Sequence, residues 1–353
     1  MTVGYLHGAG GAERQIVLLS NQLAKRGHDV TLCVLAENRS NYPIEEQVRV
    51  HDLSGEEGTG KWHVLRRFIA FRKAVKQICP DVIVNYNIQS AYFSLTLPKK
   101  VRGKVVYSER GDPYDKEYSG ILRVVRDYTV KSMDGLVFQS EGARDFFPEI
   151  MKQKSIVIHN SVNVPQDRFP LPEKREKRIV GVGRLHRQKN FPLLIEAFSL
   201  IAQSYSNYIL DIYGDGTLRE ELQKLIDRLG LTDRVFLHHS RQDLWDCIRT
   251  ASLFVLTSDY EGMPNALMEA MALGLPCIST DCRPGGARTL IVNGVNGFVV
   301  PLQDSKALAA RMGYVLGHPD VADRMAREAR HLQDTHSDKA IFDQWAKFLL
   351  QLR

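Results

Sequence analysis

The chain has 353 residues, of which 44% are apolar and 25% are charged, and its formal net charge is +6. This composition excludes an intrinsically disordered protein, and the length predicts two domains rather than a single core. The sequence has no signal-peptide pattern and no uncharged apolar run near the ~18 residues that span a bilayer, so we expect a cytoplasmic protein. Five cysteines without a Cys-x-x-Cys pair argue against a disulfide framework and a zinc site.

The first half of the chain alternates short β-branched segments with helical ones. Between the first two strands, a helix over residues 12–26 places Ile16, Leu19 and Leu23 on one face and ends at Gly27. Strand, helix and strand at this spacing predict a parallel sheet with right-handed crossovers. Strands are predicted at residues 3–6, 30–35, 82–84, 104–107, 135–138 and 155–158.

A basic amphipathic segment lies between Lys61 and Lys76. Its six basic residues have no acid among them and alternate with apolar residues, which are Trp62, Leu65, Phe68, Ile69 and Phe71. Two interpretations stay open: a helix that lies on an anionic membrane, or the solvated face of a helix packed on the core. Nucleic acid is a weaker interpretation because no recognised binding motif accompanies the basic residues.

A polar, proline-bearing stretch over residues 163–177 predicts an interdomain linker, after which the alternation restarts. Strands are predicted at residues 179–182, 209–213, 235–238, 253–257, 277–280 and 298–300, with helices at 192–204, 218–229, 243–250, 265–273 and 305–316. Both halves are therefore predicted to be doubly wound α/β units, whose ligands bind at the carboxyl ends of the strands. A final amphipathic segment, residues 338–352, is expected to pack its apolar side against another part of the protein.

Two carboxylates mark the most informative segment, residues 258–281. Glu261 lies in a loop after a predicted strand, and Glu269 lies about one turn into a helix that opens near Pro264 and Asn265. The free N–H groups of a helix N-terminus suit a phosphate, so the segment fits a ligand that carries hydroxyls and phosphates. The alternative is that both acids have no role in binding and are simply stabilised by the positive, N-terminal end of the helix dipole.

Two further loops of the second half have residues suited to a diphosphate. A strand ends in Gly183 and is followed by Arg184 and Lys189, cations that can hold a diphosphate and absorb its developing charge. Another strand ends in Gly214 and Gly216, where the backbone can approach a ligand closely. Each pattern alone also fits a basic loop or a tight turn.

Together these elements resemble, in order and spacing, the nucleotide-binding half of family-4 retaining glycosyltransferases. The motifs that match are E-x7-E (Glu261, Glu269), G-R-(x)4-K (Gly183, Arg184, Lys189) and the glycine turn (Gly214, Asp215, Gly216). The resemblance extends to residues 7–32 and 159–163 and is least informative over residues 40–100. It implies the α/β GT-B fold, with two Rossmann-like domains facing across a cleft. It also implies an acceptor domain at 1–165, a donor domain at 166–336, and a helix at 337–353 that returns to the N-terminal domain.

The resemblance also implies roles for individual residues. Glu261, Arg184 and Lys189 would be catalytic: Glu261 would orient the donor sugar, and the two cations would grip the diphosphate. Glu269 would accept hydrogen bonds from the ribose, and the backbone around residues 239–241 would hold the base. The other expected donor-binding residues are Gly10, Gly11, Gly183, Gly214, Asp215, His239, Arg241, Gly262, Met263, Pro264, Asn265 and Ala266. The expected donor is a UDP-linked sugar, with no metal or other cofactor, and the sequence has no Asp-x-Asp pair.

The N-terminal half is similar, over residues 10–14 and 108–110, to bacterial enzymes that add N-acetylhexosamines to polyprenyl-diphosphate-linked oligosaccharides. The partners it implies are a nucleotide sugar, a lipid-linked glycan and an anionic membrane surface on the inner face of the plasma membrane. Candidates for contact with acceptor or phosphate are His7, Glu13 and Arg110. Arg110 departs from the histidine that many relatives have, and it could contact phosphate or pair with Glu109 or Asp112. Thr289 stands where relatives usually have an acidic residue, shortly after the glycine turn at Gly285 and Gly286.

Two other functions remain open from the sequence. Gly8, Gly10 and a following helix imitate the fingerprint of a dinucleotide-dependent oxidoreductase, but Glu13 at the third glycine position would put a carboxylate beside a pyrophosphate. The chain could also be a non-catalytic glycan-binding subunit with a decayed site. The intact Glu261 and Arg184 argue against such decay.

Overall fold

The computed structural model describes residues 1–6, 11–38, 42–53, 61–114 and 120–352. Contacts divide the chain into two compact units. The N-terminal unit comprises Met1–Ser161 together with Asp338–Arg353, and the C-terminal unit comprises Val162–Ser337.

The N-terminal unit contains a seven-stranded parallel sheet of order β3-β2-β1-β4-β5-β6-β7. Its strands are β1 (Thr2–Leu6), β2 (Thr31–Asn38), β3 (Arg49–Asp52), β4 (Val82–Asn85), β5 (Lys104–Ser108), β6 (Gly135–Phe138) and β7 (Ser155–Val157). Its helices before the unit boundary are α1 (Gly11–Lys25), α2 (Lys61–Ile78), α3 (Ile88–Leu95), α4 (Lys99–Arg102), α5 (Ile121–Lys131), α6 (Glu141–Asp145) and α7 (Glu149–Lys152). The predicted parallel sheet is confirmed. The edge strand β3 was not predicted, because its residues are mostly exposed and form no apolar run.

The C-terminal unit contains a six-stranded parallel sheet of order β10-β9-β8-β11-β12-β13. Its strands are β8 (Glu176–Val182), β9 (Ile209–Tyr213), β10 (Val235–His238), β11 (Ala251–Leu256), β12 (Cys277–Thr280) and β13 (Phe298–Val300). Its helices are α8 (Phe191–Ile201), α9 (Arg219–Arg228), α10 (Leu244–Ile248), α11 (Asn265–Ala272), α12 (Gly286–Leu290), α13 (Ser305–Gly317), α14 (Pro319–Arg330) and α15 (Leu332–His336). The strand order reverses between β8 and β11, and the carboxyl ends of two such strands form a crevice that suits a ligand.

The stretch predicted to be a linker is packed instead. Val164 and Phe169 are buried in the apolar core on one face of the C-terminal sheet. Prolines and charged residues made this stretch look solvated, but its few apolar side chains suffice to hold it against the unit.

The last helix, α16 (Asp338–Gln351), packs on the N-terminal unit. It buries Ile341, Phe342, Trp345 and Phe348 in a core shared with α1. This confirms the prediction that the C-terminal helix returns to the N-terminal domain. In the parts of the chain that the structure describes, no helix combines the length and apolar character needed to cross a bilayer.

Candidate functional site

Two loops meet at the carboxyl edge of the C-terminal sheet, where the strand order reverses. One follows β8 and the other follows β11, and hydrogen bonds join them along their length. Thr257 Oγ1 donates to the Lys189 carbonyl over 2.9 Å, the Asp259 amide donates to the Gln188 carbonyl over 2.9 Å, and Asn190 Nδ2 donates to Asp259 Oδ1 over 2.9 Å. The loop that contains the G-R-(x)4-K motif is thereby held in a single position against the loop that begins the E-x7-E motif.

Lys189 and Glu261, which lie 72 residues apart in the sequence, form an ion pair between these loops. Ser258 Oγ also donates to Glu261 Oε1, over 2.8 Å. The side chains of Lys189 and Glu261 are 15% and 11% exposed. Since a buried charge is costly unless it is paired, the ion pair stabilises both side chains in this crevice.

Cys282 lies beside this pair, and its thiol is buried. Burial, and next the neighbouring Glu261 carboxylate, raise the pKa of the Cys282 thiol to about 12. A raised pKa favours the neutral thiol, and the buried Cys282 side chain fills space beside the ion pair.

Arg184 follows Gly183 in the same loop as Lys189, but its side chain is exposed. Within the described residues, no ion pair or hydrogen bond engages its guanidinium. Arg184 is therefore a cation of this loop whose donors are available to an anion.

The glycine turn after β9 packs directly on the loop after β8. A Cβ on Gly214 would lie 1.9 Å from the Gly183 carbonyl oxygen, and a Cβ on Gly216 would lie 2.3 Å from the Leu185 carbonyl oxygen. The Leu185 amide donates to the Asp215 carbonyl over 2.8 Å. Only glycine allows this close approach, which brings two of the predicted motifs together.

Asp215 joins the glycine turn to the loop after β10. Its carboxylate accepts the Ser240 amide over 2.9 Å and pairs with His239 Nδ1. The Ser240 amide first, and then His239, hold the pKa of the Asp215 carboxyl well below its usual range. Arg241 pairs with Asp243 on the exposed side of this loop. The structure thus brings Asp215 and His239 into contact, whereas Arg241 pairs with Asp243 instead.

The helix α11 begins at Asn265, and the residues before it are buried: Gly262, Met263 and Pro264. Ala266 and Glu269 follow in the first turns. Glu269 Oε2 accepts a hydrogen bond of 3.0 Å from Trp245 Nε1, on α10. Sequence reasoning missed Trp245, because no local motif links residues 24 positions apart. The Trp245 indole orients the Glu269 carboxylate near the start of α11.

The predicted residues of the N-terminal unit fall in different settings. His7 and Gly10 lie outside the described residues. Gly11 is the first residue of α1, rather than part of a loop as predicted, and Glu13 lies in the first turn of that helix.

Arg110 follows β5 and is held inside the N-terminal unit. Its guanidinium donates to Asn160 Oδ1 over 3.0 Å and lies 4.0 Å from the centroid of the Tyr86 ring, with the Trp345 ring at 5.6 Å. Burial lowers the pKa of Arg110. These aromatic and amide contacts were not among the partners considered from the sequence, because they come from strand ends and a terminal helix distant in the chain.

In the described parts of the chain, no group of three or more His, Cys, Asp or Glu side chains could hold a metal ion. The fold and the crevice define the class of protein as a two-unit α/β enzyme of the GT-B type. Two family models match the chain: Glycosyltransferase Family 4 over residues 9–166, and Glycosyl transferases group 1 over residues 163–332. The chain therefore belongs to the glycosyltransferases of the GT-B, family-4 type.

Individual relatives resemble the chain over nearly its whole length. An uncharacterised glycosyltransferase of Haemophilus influenzae is 24% identical over 97% of this chain and 96% of its own. A Campylobacter jejuni enzyme is 24% identical over 98% of this chain and 96% of its own. It is named GalNAc-α-(1→4)-GalNAc-α-(1→3)-diNAcBac-PP-undecaprenol α-1,4-N-acetyl-D-galactosaminyltransferase. The crystal structure of Anabaena HepE in complex with UDP and glucose superposes with a TM-score of 0.81 at 19% identity, covering 99% of this chain and all of HepE.

Proposed function

We propose that this glycosyltransferase moves an N-acetylhexosamine from a UDP-sugar onto a polyprenyl-diphosphate-linked oligosaccharide in bacterial surface-glycan assembly, with retention of configuration and without a metal. The observation that carries the donor half of the proposal is the crevice between the β8 and β11 loops. It combines an exposed Arg184, a Lys189–Glu261 ion pair and a helix N-terminus. The acceptor half is supported by the similarity to the Campylobacter enzyme, which is named for a polyprenyl-diphosphate acceptor.

The donor diphosphate is assigned to Arg184 and Lys189 of the loop after β8. Arg184 has free donors for the phosphate oxygens, and an arginine fork matches a phosphate in two-point geometry. Lys189 lies five residues further along the same loop, where the ion pair with Glu261 holds its side chain. When a diphosphate binds, Lys189 can contact both the diphosphate and the Glu261 carboxylate. Because Lys189 is already largely buried in the ion pair, binding the diphosphate costs little further desolvation of this cation.

The two glutamates are assigned to the sugars of the donor. Glu261 accepts hydrogen bonds from Lys189 and Ser258 through one oxygen, Oε1, which leaves Oε2 for hydroxyls of the transferred sugar. Glu269 is oriented by Trp245, and its carboxylate is assigned to the ribose hydroxyls.

The chemical step follows from these roles. The bond between the anomeric carbon and the diphosphate oxygen breaks, and the acceptor oxygen bonds to the anomeric carbon on the same face. The departing phosphate oxygen takes the proton of the acceptor hydroxyl, so UDP leaves and the anomeric configuration is retained. The chain contributes positioning and stabilises the charge that develops on the leaving diphosphate, as cations and aligned N–H groups do in other transferases.

The test is a panel of nucleotide sugars measured by thermal stabilisation and by slow hydrolysis, followed by transfer to a lipid-linked acceptor. We expect UDP and UDP-N-acetylhexosamines to stabilise the protein. Stabilisation by NADH instead would support the oxidoreductase alternative. Binding of UDP without transfer or hydrolysis of any UDP-sugar would support a non-catalytic subunit.

A further inference from the structure

The loop that follows β10, residues 239–241, is held by side chains from other segments. In the described residues, β10 is the outermost strand of the C-terminal sheet and pairs with β9 alone. His239, Ser240 and Arg241 are all exposed. The end of an edge strand with an exposed loop has few contacts of its own and opens easily, so the position of this loop depends on the groups that bind it. We call residues 239–241 the β10 loop.

Arg219, the first residue of α9, binds three main-chain carbonyls next to the β10 loop. Its Nη1 donates to the Leu237 carbonyl over 3.0 Å, and its Nη2 donates to the His238 carbonyl over 2.9 Å and to the Gly214 carbonyl over 2.7 Å. The guanidinium is planar and its N–H groups have fixed directions, so it holds the three carbonyls in one mutual arrangement. The Gly214 amide also donates to the His238 carbonyl, over 3.1 Å. Arg219 thus joins the end of β10 to the glycine turn.

Asp215, in the glycine turn, holds the same loop by an amide. Its carboxylate accepts the Ser240 amide over 2.9 Å, pairs with the His239 ring, and lies 3.4 Å from Arg219 Nη2. Arg219 and Asp215 therefore form one charged pair. The cation of this pair binds carbonyls that precede the loop, and the anion binds an amide within it.

These contacts fix the two peptide groups on either side of His239. In a trans peptide group, the C=O and N–H bonds point in opposite directions within one plane. Holding the His238 carbonyl therefore sets the direction of the His239 N–H, and holding the Ser240 amide sets the direction of the His239 carbonyl. Among the described residues, neither of these two main-chain groups of His239 has a protein partner. One donor and one acceptor with set directions are thus available to a ligand.

A second set of contacts fixes the end of β10 independently of Arg219. His238 Nε2 lies 2.7 Å from Asp211 Oδ1, and the His238 ring stacks on the Tyr213 ring at a centroid distance of 4.6 Å. Arg178 donates to Asp211 Oδ2 over 2.8 Å and to the Tyr213 hydroxyl over 2.9 Å. Because these contacts do not involve Arg219, its removal should free the peptide groups of the β10 loop and leave the strand in place.

We propose that Arg219 is a positioning residue that makes the donor site selective for the nucleobase. The inference rests on the proposed function, in which the donor is a UDP-sugar and the β10 loop contacts the base. Uracil presents a donor, N3–H, beside an acceptor oxygen, whereas cytosine presents an acceptor, N3, beside a donor amino group. A main-chain donor and acceptor held in fixed directions match one of these two orders and leave the other base with unpaired groups. Peptide groups that can rotate accommodate both bases.

The first test measures binding of UDP, CDP and inorganic diphosphate by titration calorimetry. Arg219→Met removes the N–H donors and keeps an unbranched side chain. It should weaken UDP binding by about tenfold and CDP binding by less than about twofold, so that the preference for UDP narrows. Binding of inorganic diphosphate should stay within about twofold of wild type, because Arg184 and Lys189 are unchanged. The matched control is Arg228→Met, at the exposed end of the same helix, which should leave all three affinities unchanged.

Two results would overturn the proposal. If Arg219→Met keeps the wild-type ratio of UDP to CDP affinity, Arg219 does not set base selectivity. If binding of UDP, CDP and diphosphate weakens equally, the residue only stabilises the unit. Arg219→Lys serves if the methionine variant does not fold. One ammonium cannot hold three carbonyls in a planar arrangement, so the preference for UDP should fall by about threefold, and an unchanged preference in this variant would equally refute the role.

Hydrolysis of a UDP-sugar gives a second readout that a purely structural role would not produce. The KM of Arg219→Met should rise about tenfold with kcat within about twofold of wild type, because a contact to the base acts on binding and lies away from the bond that breaks. A fall in kcat at constant KM would contradict the positioning role.

Adding ADP and GDP to the same binding panel separates this inference from the proposed function. If the wild type prefers a base other than uracil and Arg219→Met loses that preference, the UDP assignment fails and the positioning role stands. If the wild type and the variant select UDP equally well, the donor assignment stands and the positioning role fails. A wild type that binds no nucleoside diphosphate would overturn both.

Discussion

The helices that cover the C-terminal sheet hide their apolar residues, whereas α2 and α5 of the N-terminal unit expose theirs. The helix α8 buries Leu193, Leu194 and Phe198 and exposes only Leu200 among its large apolar residues. The helix α5 exposes a whole apolar stripe and buries an arginine. At the carboxyl edge of the C-terminal unit, by contrast, the loop after β8 exposes a cation, Arg184.

This difference indicates that two similar sheets serve different partners. The C-terminal unit offers cations, carboxylates and a helix N-terminus, which suit a small charged ligand. The N-terminal unit offers apolar area beside lysines, which suits an extended surface. Variants in the C-terminal crevice should therefore change donor use, and the predictions below test that assignment.

The largest effect on turnover is expected from Arg184→Ala. Removing a cation that stabilises a leaving diphosphate should lower kcat/KM by roughly 100-fold or more, with the free energy of unfolding unchanged. Arg187→Ala is the matched control, since Arg187 is also exposed and lies three residues further along the loop. Near-normal turnover of Arg184→Ala with a verified acceptor would refute the assigned role.

Lys189→Met should destabilise the C-terminal unit as well as abolish transfer. It leaves the Glu261 carboxylate buried without its partner, at a cost of about 3 kcal/mol in the free energy of unfolding. The double variant Lys189→Met/Glu261→Gln should recover most of that stability and none of the activity. Urea unfolding measures both, and a single variant as stable as wild type would mean that the ion pair is not formed in solution.

Gly214→Ala should destabilise the protein by about 2 kcal/mol, because the added Cβ collides with the Gly183 carbonyl and must separate two loops of the crevice. The control is Gly313→Ala inside α13, where the nearest atom to a Cβ is 3.6 Å away. That change should instead stabilise the helix by about 0.5–1 kcal/mol. Thermal unfolding with and without UDP checks whether Gly214→Ala lowers and Gly313→Ala raises the stability of the protein.

The smallest effect is expected from Trp245→Phe, which removes the N–H that orients Glu269 but keeps an aromatic ring against Phe169. The KM for the donor should rise roughly tenfold, with kcat changed much less, because a ribose contact acts on binding. If kcat falls and KM stays constant, Glu269 acts on the chemical step and the ribose assignment is wrong.

Much of the fold follows from local patterns in the sequence. Alternation of β-branched segments with amphipathic helices predicted both parallel sheets, because the spacing of apolar residues along each segment distinguishes a strand from a helix. The same patterns misled at two places. The edge strand β3 has no apolar period, and residues 163–177 looked like a linker although Val164 and Phe169 are buried.

The motifs of the donor crevice were readable in the sequence, since E-x7-E and G-R-(x)4-K are short and lie next to strand ends. Only the tertiary structure revealed that Lys189 pairs with Glu261, that Trp245 orients Glu269, and that Arg184 has its donors available. The exposure of α5 was equally invisible, because an apolar stripe has the same period whether another element covers it or not. Contacts between distant segments decide pairing and exposure, and no local pattern encodes them.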